Sequence, residues 1–181
     1  FKAFGYTTEN LLDYFYKNET VVVKDGKFFR EFKEEFLKDH RASSDILDPE
    51  TGDVLVRKGR VISRRAIQRL ISLNTEYIPL EEDELIGRVF ARPIFAPLQD
   101  GAEGAELIAN ANEEITLAVV EKIHEAGIKE FKLLFIDGVT TGDSVRHTLL
   151  LDKVDTTEDA LLEIYRRIRP GNPATPEVAQ E

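Results

Sequence analysis

The sequence predicts an α+β fold in which terminal helices flank an inserted module of two strand-helix-strand repeats plus a β-hairpin. Three observations carry this reading. An Asp-Gly pair sits between β-branched and aromatic runs, a pattern recurs in the middle of the chain, and capped amphipathic segments stand near both ends.

The first element is a helix in YTTENLLDYFYKN, capped by Thr7 or Thr8, with Leu11, Leu12 and Phe15 on one face. A hairpin follows in TVVVKDGKFFREF. A two-residue type I′ turn needs positive φ at both central positions, which Asp25-Gly26 tolerates. From Glu31 to Arg41, charges mix with Phe32, Phe36 and Leu37, a pattern for a short helical turn.

The repeat occupies about 45–80 and 94–135. Its copies begin DILDPETGDVLVRKGRVISRRAIQRL and PIFAPLQDGAEGAELIANANEEITLAVVEKIHEAG. At a constant offset of 53, Ile62 matches Ile115, Ile67 matches Val120, Leu70 matches Ile123, Ile78 matches Phe131 and Leu80 matches Leu133. Each copy reads as a Gly-containing turn, a short strand (Val54 to Val56, Glu106 to Ala109), a helix and a closing strand. Ser63 caps the first helix, and the second starts between Glu114 and Thr116. Two such copies are expected to pack their apolar faces on each other. Glu81 to Glu84 reads as a solvated acidic linker, and the turn-rich DGVTTGDS, Asp137 to Ser144, closes a module over 19–138. The flanking segments are then 1–18 and 139–181.

In DTTEDALLEIYRRIRPG the expected helix opens at Asp155 with Glu158 three residues on, and Pro170-Gly171 stops it. Leu161, Ile164, Tyr165 and Ile168 form the expected buried stripe. Arg166, Arg167 and Arg169 crowd the last turn, where the helix dipole favours cations. Arg167 has Glu163 four residues before it, whereas Arg166 and Arg169 have no obvious partner on the helix, so these arginines are the candidate nucleic-acid or interface contacts. Thr175-Pro176-Glu177 then reads as another helix start, six residues before Glu181. A helix so short is marginal alone, and the sequence holds no Met, so the chain is expected to be a piece of a longer one.

Composition bounds the chemistry. The 181 residues suffice for a real core, with 42% hydrophobic and 32% charged residues, and no apolar run approaches the roughly 18 residues of a membrane span. No leader is readable, so the expected location is cytoplasmic, with no membrane partner. The net charge of -10 argues against a domain built mainly to hold a nucleic-acid backbone. Having no cysteine, the chain lacks thiolate ligands and a thiol nucleophile. Asp48, Glu50, Gly52 and Asp53 evoke a calcium loop, but the twelfth position is Gly59 where a Glu is needed, leaving a polar turn. Ser144, His147, Asp137 and Asp143 lack a nucleophile elbow, which disfavours a small hydrolase. His40 and His124 stand without metal-binding spacing, and Gly101 and Gly104 lack the Lys of a phosphate loop and read as turn residues. No catalytic, metal or cofactor-binding residue is expected.

The run GDSVRHTLLLDKVDTTEDALLEIYRRIRPGNPATPEVAQE resembles the part of the bacterial DNA-directed RNA polymerase beta subunit that carries the signature EIYR..RPG.P.T...A in its lobe domain. KAFGYTTENLLDYFY resembles the lobe helix before a lineage-specific insertion, and the two repeat copies resemble that insertion as found in proteobacterial subunits. Asn172, Ala174 and Pro176 stand where that family is more charged. The resemblance implies lobe helices around an inserted module, with no catalytic role of its own. It would serve a nucleotidyltransferase as cleft wall and docking surface for secondary-channel regulators. It further implies alpha, beta prime, omega and sigma as partner subunits, DNA through the complex, and Mg held by another subunit. The alternative reading is a free-standing acidic protein-binding adaptor.

Overall fold

The computed structural model describes residues 1–38, 40–42, 44–97, 104–138 and 140–179. In chain order these hold a 3-10 turn (Lys2–Phe4), α1 (Thr8–Phe15), β1 (Asn18–Lys24), β2 (Lys27–Glu31), α2 (Glu34–Leu37), β3 (Ile46–Leu47), β4 (Val54–Val56), α3 (Arg64–Ser72) and β5 (Tyr77–Leu80). A second 3-10 turn (Glu82–Glu84), β6 (Ile94–Phe95), β7 (Leu107–Ala109), α4 (Leu117–Glu125), β8 (Glu130–Leu134), α5 (Ser144–Leu151), α6 (Thr157–Ile168) and α7 (Pro176–Ala179) follow. The mixture is α+β, and the chain divides into two compact units, Phe1–Tyr16 with Ile136–Glu181, and Lys17–Phe135.

The 17–135 unit is built on an antiparallel sheet in the order β5-β2-β1-β8. Its central hairpin turns where expected, with φ of 50° at Asp25 and 71° at Gly26. The repeat copies lie on either side of that hairpin, so the closing strand of each, β5 and β8, forms an edge of the sheet. Their backbones repeat closely. α3 and α4 have nine residues each, capped by Ser63 and Thr116. Both helices leave through a left-handed residue, Asn74 at φ 49° and Gly127 at φ 63°. All ten residues of the five matched apolar pairs are buried.

The copies do not share one core, contrary to expectation. One cluster gathers Ile62, Ile67, Leu70 and Ile78 of the first copy. Another gathers Ile115, Val120, Ile123, Phe131 and Leu133 of the second, together with Val21, Phe28 and Leu80. A charge divides them. Cross-strand pairing sets Ile78, Arg30, Val21 and Phe131 in one row, so Arg30 stands between the two clusters. Its guanidinium Nε donates to Glu19, whose carboxylate is fully buried and also accepts from Arg88. Burial pushes the Glu19 carboxyl up, but the charge of Arg88 and the hydrogen bond and charge of Arg30 outweigh it and hold it below the usual range. Removing Glu19 would leave both arginines without their counter-charge.

The other unit is helical. α1 starts in a capping box, Thr7 with Asn10, and packs on α5; the Lys2–Phe4 turn packs on α6. The Arg146 N–H donates to the Tyr16 hydroxyl at 3.0 Å. The Lys2 ammonium donates to the Val154 carbonyl and lies 3.1 Å from Asp152.

Candidate functional site

α6 carries the three candidate arginines, and its start differs by one residue from the sequence expectation. Thr156, not Asp155, is the N-cap: its hydroxyl accepts from Asp159 N–H at 3.1 Å and donates to the Asp159 carboxylate at 2.7 Å. Asp155 was the wrong choice because Thr156 with Asp159 satisfies the same three-residue spacing, and local pattern cannot separate the two.

A larger correction concerns the apolar stripe. Only Ala160 of α6 is buried; Ile164 is 46% exposed and Ile168 72%. Leu161, Ile164, Tyr165 and Ile168 instead face a shallow groove of about 380 Å³, which Val178 of α7 helps to line. The periodicity is real, but among the described residues the stripe is left largely uncovered.

At the end of the helix, Arg167 Nε donates to Glu163 at 3.1 Å, and Arg166 lies 3.9 Å from the same carboxylate. Arg166 therefore does have a partner on the helix, one turn back. Arg169 lies over the Tyr165 ring, 5.6 Å from its centroid. One carboxylate thus faces two exposed guanidinium groups while a third rests on an aromatic face. The end of α6 keeps a positive surplus beside an apolar groove. Planar guanidinium groups of this kind suit phosphate or carboxylate oxygens.

The remaining candidates are held in local structure. Asp48 accepts from Glu50 and Thr51 N–H and from Arg69 at 2.8 Å, which holds its carboxyl below the usual range. Asp137 binds the N–H groups of Thr140 and Thr141 at 2.8 Å. Ser144 opens α5, and the exposed His147 lies 3.5 Å from Asp143 one turn away. His124 reaches Glu82 at 3.2 Å and packs against Phe28, and His40 packs against Phe135. Gly104 has a φ of 100°, as a turn residue would, while Gly101 lies outside the described residues. Among the described residues no group of three or more His, Cys, Asp or Glu is placed to hold a metal ion, and no helix is long and apolar enough to cross a membrane. One surface is missed at the level of net charge: Arg57, Lys58, Arg60, Arg64 and Arg65 are all exposed. Counting charge in short windows would have found it.

Fold and surface together define a charged α+β segment with exposed arginine clusters on an acidic chain. No protein-family model matches the chain. Its sequence is similar over its whole length to the bacterial DNA-directed RNA polymerase subunit beta, the family that the EIYR..RPG signature resembles. It is 48% identical over 181 residues to that subunit of Desulfosudis oleivorans and 51% identical over 181 residues to that of Desulforapulum autotrophicum, covering all of this chain in both. The Sorangium cellulosum subunit is 42% identical over 180 residues, 99% of this chain. The chain spans 12–13% of the length of these curated relatives.

Proposed function

We propose that this chain works as a non-catalytic segment of the beta subunit of DNA-directed RNA polymerase, contributing to DNA-templated transcription. The flanking segments, 1–18 and 139–181, would belong to the lobe that walls the DNA cleft; residues 19–138 would be an insertion that docks transcription regulators. Its partners are then the alpha, beta prime, omega and sigma subunits, and the Mg ions of nucleotidyl transfer sit on another subunit. Whole-chain similarity to beta subunits is the observation that carries this reading. Arg166, Arg167 and Arg169 are the side chains of the lobe segment that would meet DNA or a neighbouring subunit.

An antibody raised against the chain, used to size its antigen in a lysate of the source organism, tests this. The expected antigen is far larger than 20.6 kDa and co-purifies with DNA-dependent RNA synthesis. An antigen near 20.6 kDa would overturn the proposal in favour of a free-standing acidic adaptor.

A further inference from the structure

The two repeat copies share a scaffold but not a surface. In the first copy, Gly59 N–H donates to Ala42 at 2.7 Å, Ala42 N–H to Arg60 at 2.9 Å and Ile62 N–H to His40 at 2.8 Å. In the second, Asn112 N–H donates to Phe90 at 2.8 Å, Phe90 N–H to Glu113 at 3.0 Å and Ile115 N–H to Arg88 at 2.7 Å. The left-handed residue of this turn is Gly59 in one copy, at φ 76°, and Asn112 in the other, at φ 66°. On this common frame the first copy displays Arg57, Lys58, Arg60, Arg64 and Arg65, and the second places Asn110, Ala111, Glu113, Leu117 and Ala118 at the matching positions. The backbone therefore does not require the cations.

Nor does the helix. Arg64 and Arg65 occupy the first turn of α3, where the dipole favours acids, so they weaken the element that carries them. Local choices that work against the fold concentrate where a surface serves something else. Arg41, also exposed, donates to the Gly59 carbonyl at 2.8 Å and adds a sixth cation at the same turn. Among the described residues no ion pair holds Arg57, Lys58, Arg60, Arg64 or Arg65; Asp45, at the edge, accepts from the Lys58 backbone N–H at 2.7 Å. The patch stands on a chain of net charge -10.

We propose that the Arg57–Arg65 surface docks an acidic, partly apolar segment of another protein. Charge complementarity sets the acidic character. Four of the five cations are arginines, the cation enriched at protein interfaces, and each can hold a carboxylate through two hydrogen bonds. Val61, 49% exposed between Arg60 and Arg64, supplies apolar area in their midst. From Arg41 to Ser72 there is no aromatic side chain on which a base would stack, which favours carboxylates over a nucleic acid as the anionic partner. This inference concerns the patch itself and holds whether or not the chain works within a polymerase.

The test uses the 181-residue chain and two fluorescent probes of equal charge: a peptide alternating Glu with Leu, and a short DNA duplex. Binding is followed by anisotropy in low and moderate salt. The peptide is expected to bind more tightly than the duplex. Replacing Arg60→Glu, Arg64→Leu and Arg65→Ala, the residues the second copy itself uses, is expected to weaken peptide binding by about tenfold or more. The double substitution Glu113→Gln and Glu114→Gln in the second copy serves as a control, and unchanged circular dichroism checks that each variant is folded. Failure of the peptide to bind, or equal binding by the first-copy variant, would overturn the proposal. Tighter binding of the duplex would overturn it too and make the patch a nucleic-acid surface.

Discussion

The two units of the chain treat apolar surface in opposite ways. Among the described residues, the helical unit buries only Leu11, Leu12, Tyr16 and Ala160 of its hydrophobic side chains, while Phe4, Tyr14, Leu151 and Ile168 are each more than 70% exposed. The 17–135 unit buries both apolar clusters, joins its two central strands through a tight hairpin and places a buried ion network between the clusters. Its stability is internal. A helical surface so exposed suits a segment that further protein covers, as the polymerase proposal requires.

Five substitutions at four positions sharpen this contrast. The largest effect is expected from Glu19→Ala, which strands Arg30 and Arg88 around a vacated acid and should cost about 3–5 kcal/mol in denaturant unfolding. The same network gives stability a sign with pH. Because the folded carboxyl is held below its unfolded value, near 4.3 for a free Glu, its contribution is present above that pH and lost as pH falls through the folded value. Glu19→Gln should flatten that part of the acid-unfolding profile; an unchanged profile would show that other carboxylates dominate it.

Next comes Ile123→Ala, at a fully buried position, with an expected loss of about 2–5 kcal/mol. Thr156→Ala removes the cap of α6 and should cost about 1 kcal/mol, read as lost helicity or a lower melting temperature. Smallest is Ile168→Ser, at a site 72% exposed, which should stay within about 0.5 kcal/mol. A loss comparable to that of Ile123→Ala would break the contrast by showing that the α6 stripe is already packed in the isolated chain.

Much of the secondary structure was legible because its signals are short. Asp25-Gly26 specified the turn by its tolerance of positive φ, and Ser63 announced α3 by a hydroxyl that accepts a free N–H group. The start of α4 was legible only as lying between Glu114 and Thr116, the cap being Thr116. The repeat was legible through ten apolar residues at a fixed offset. The candidate site was legible only in part: the arginines of α6 could be named, but not the sharing of Glu163 by Arg166 and Arg167. The denser patch at Arg57–Arg65 escaped notice because a net charge of -10 averages over both signs.

Turns, caps and periodicity are decided within a few residues, by backbone sterics and nearby hydrogen bonds, and so the linear chain was enough for them. The strand order β5-β2-β1-β8, the partition of the repeat into two cores and the exposure of Ile164 and Ile168 depend on which distant segments meet. Glu19 illustrates the difference, since its partners lie 11 and 69 residues away. Written in the chain it is one acid among many; only the folded unit takes it out of water and makes two arginines necessary.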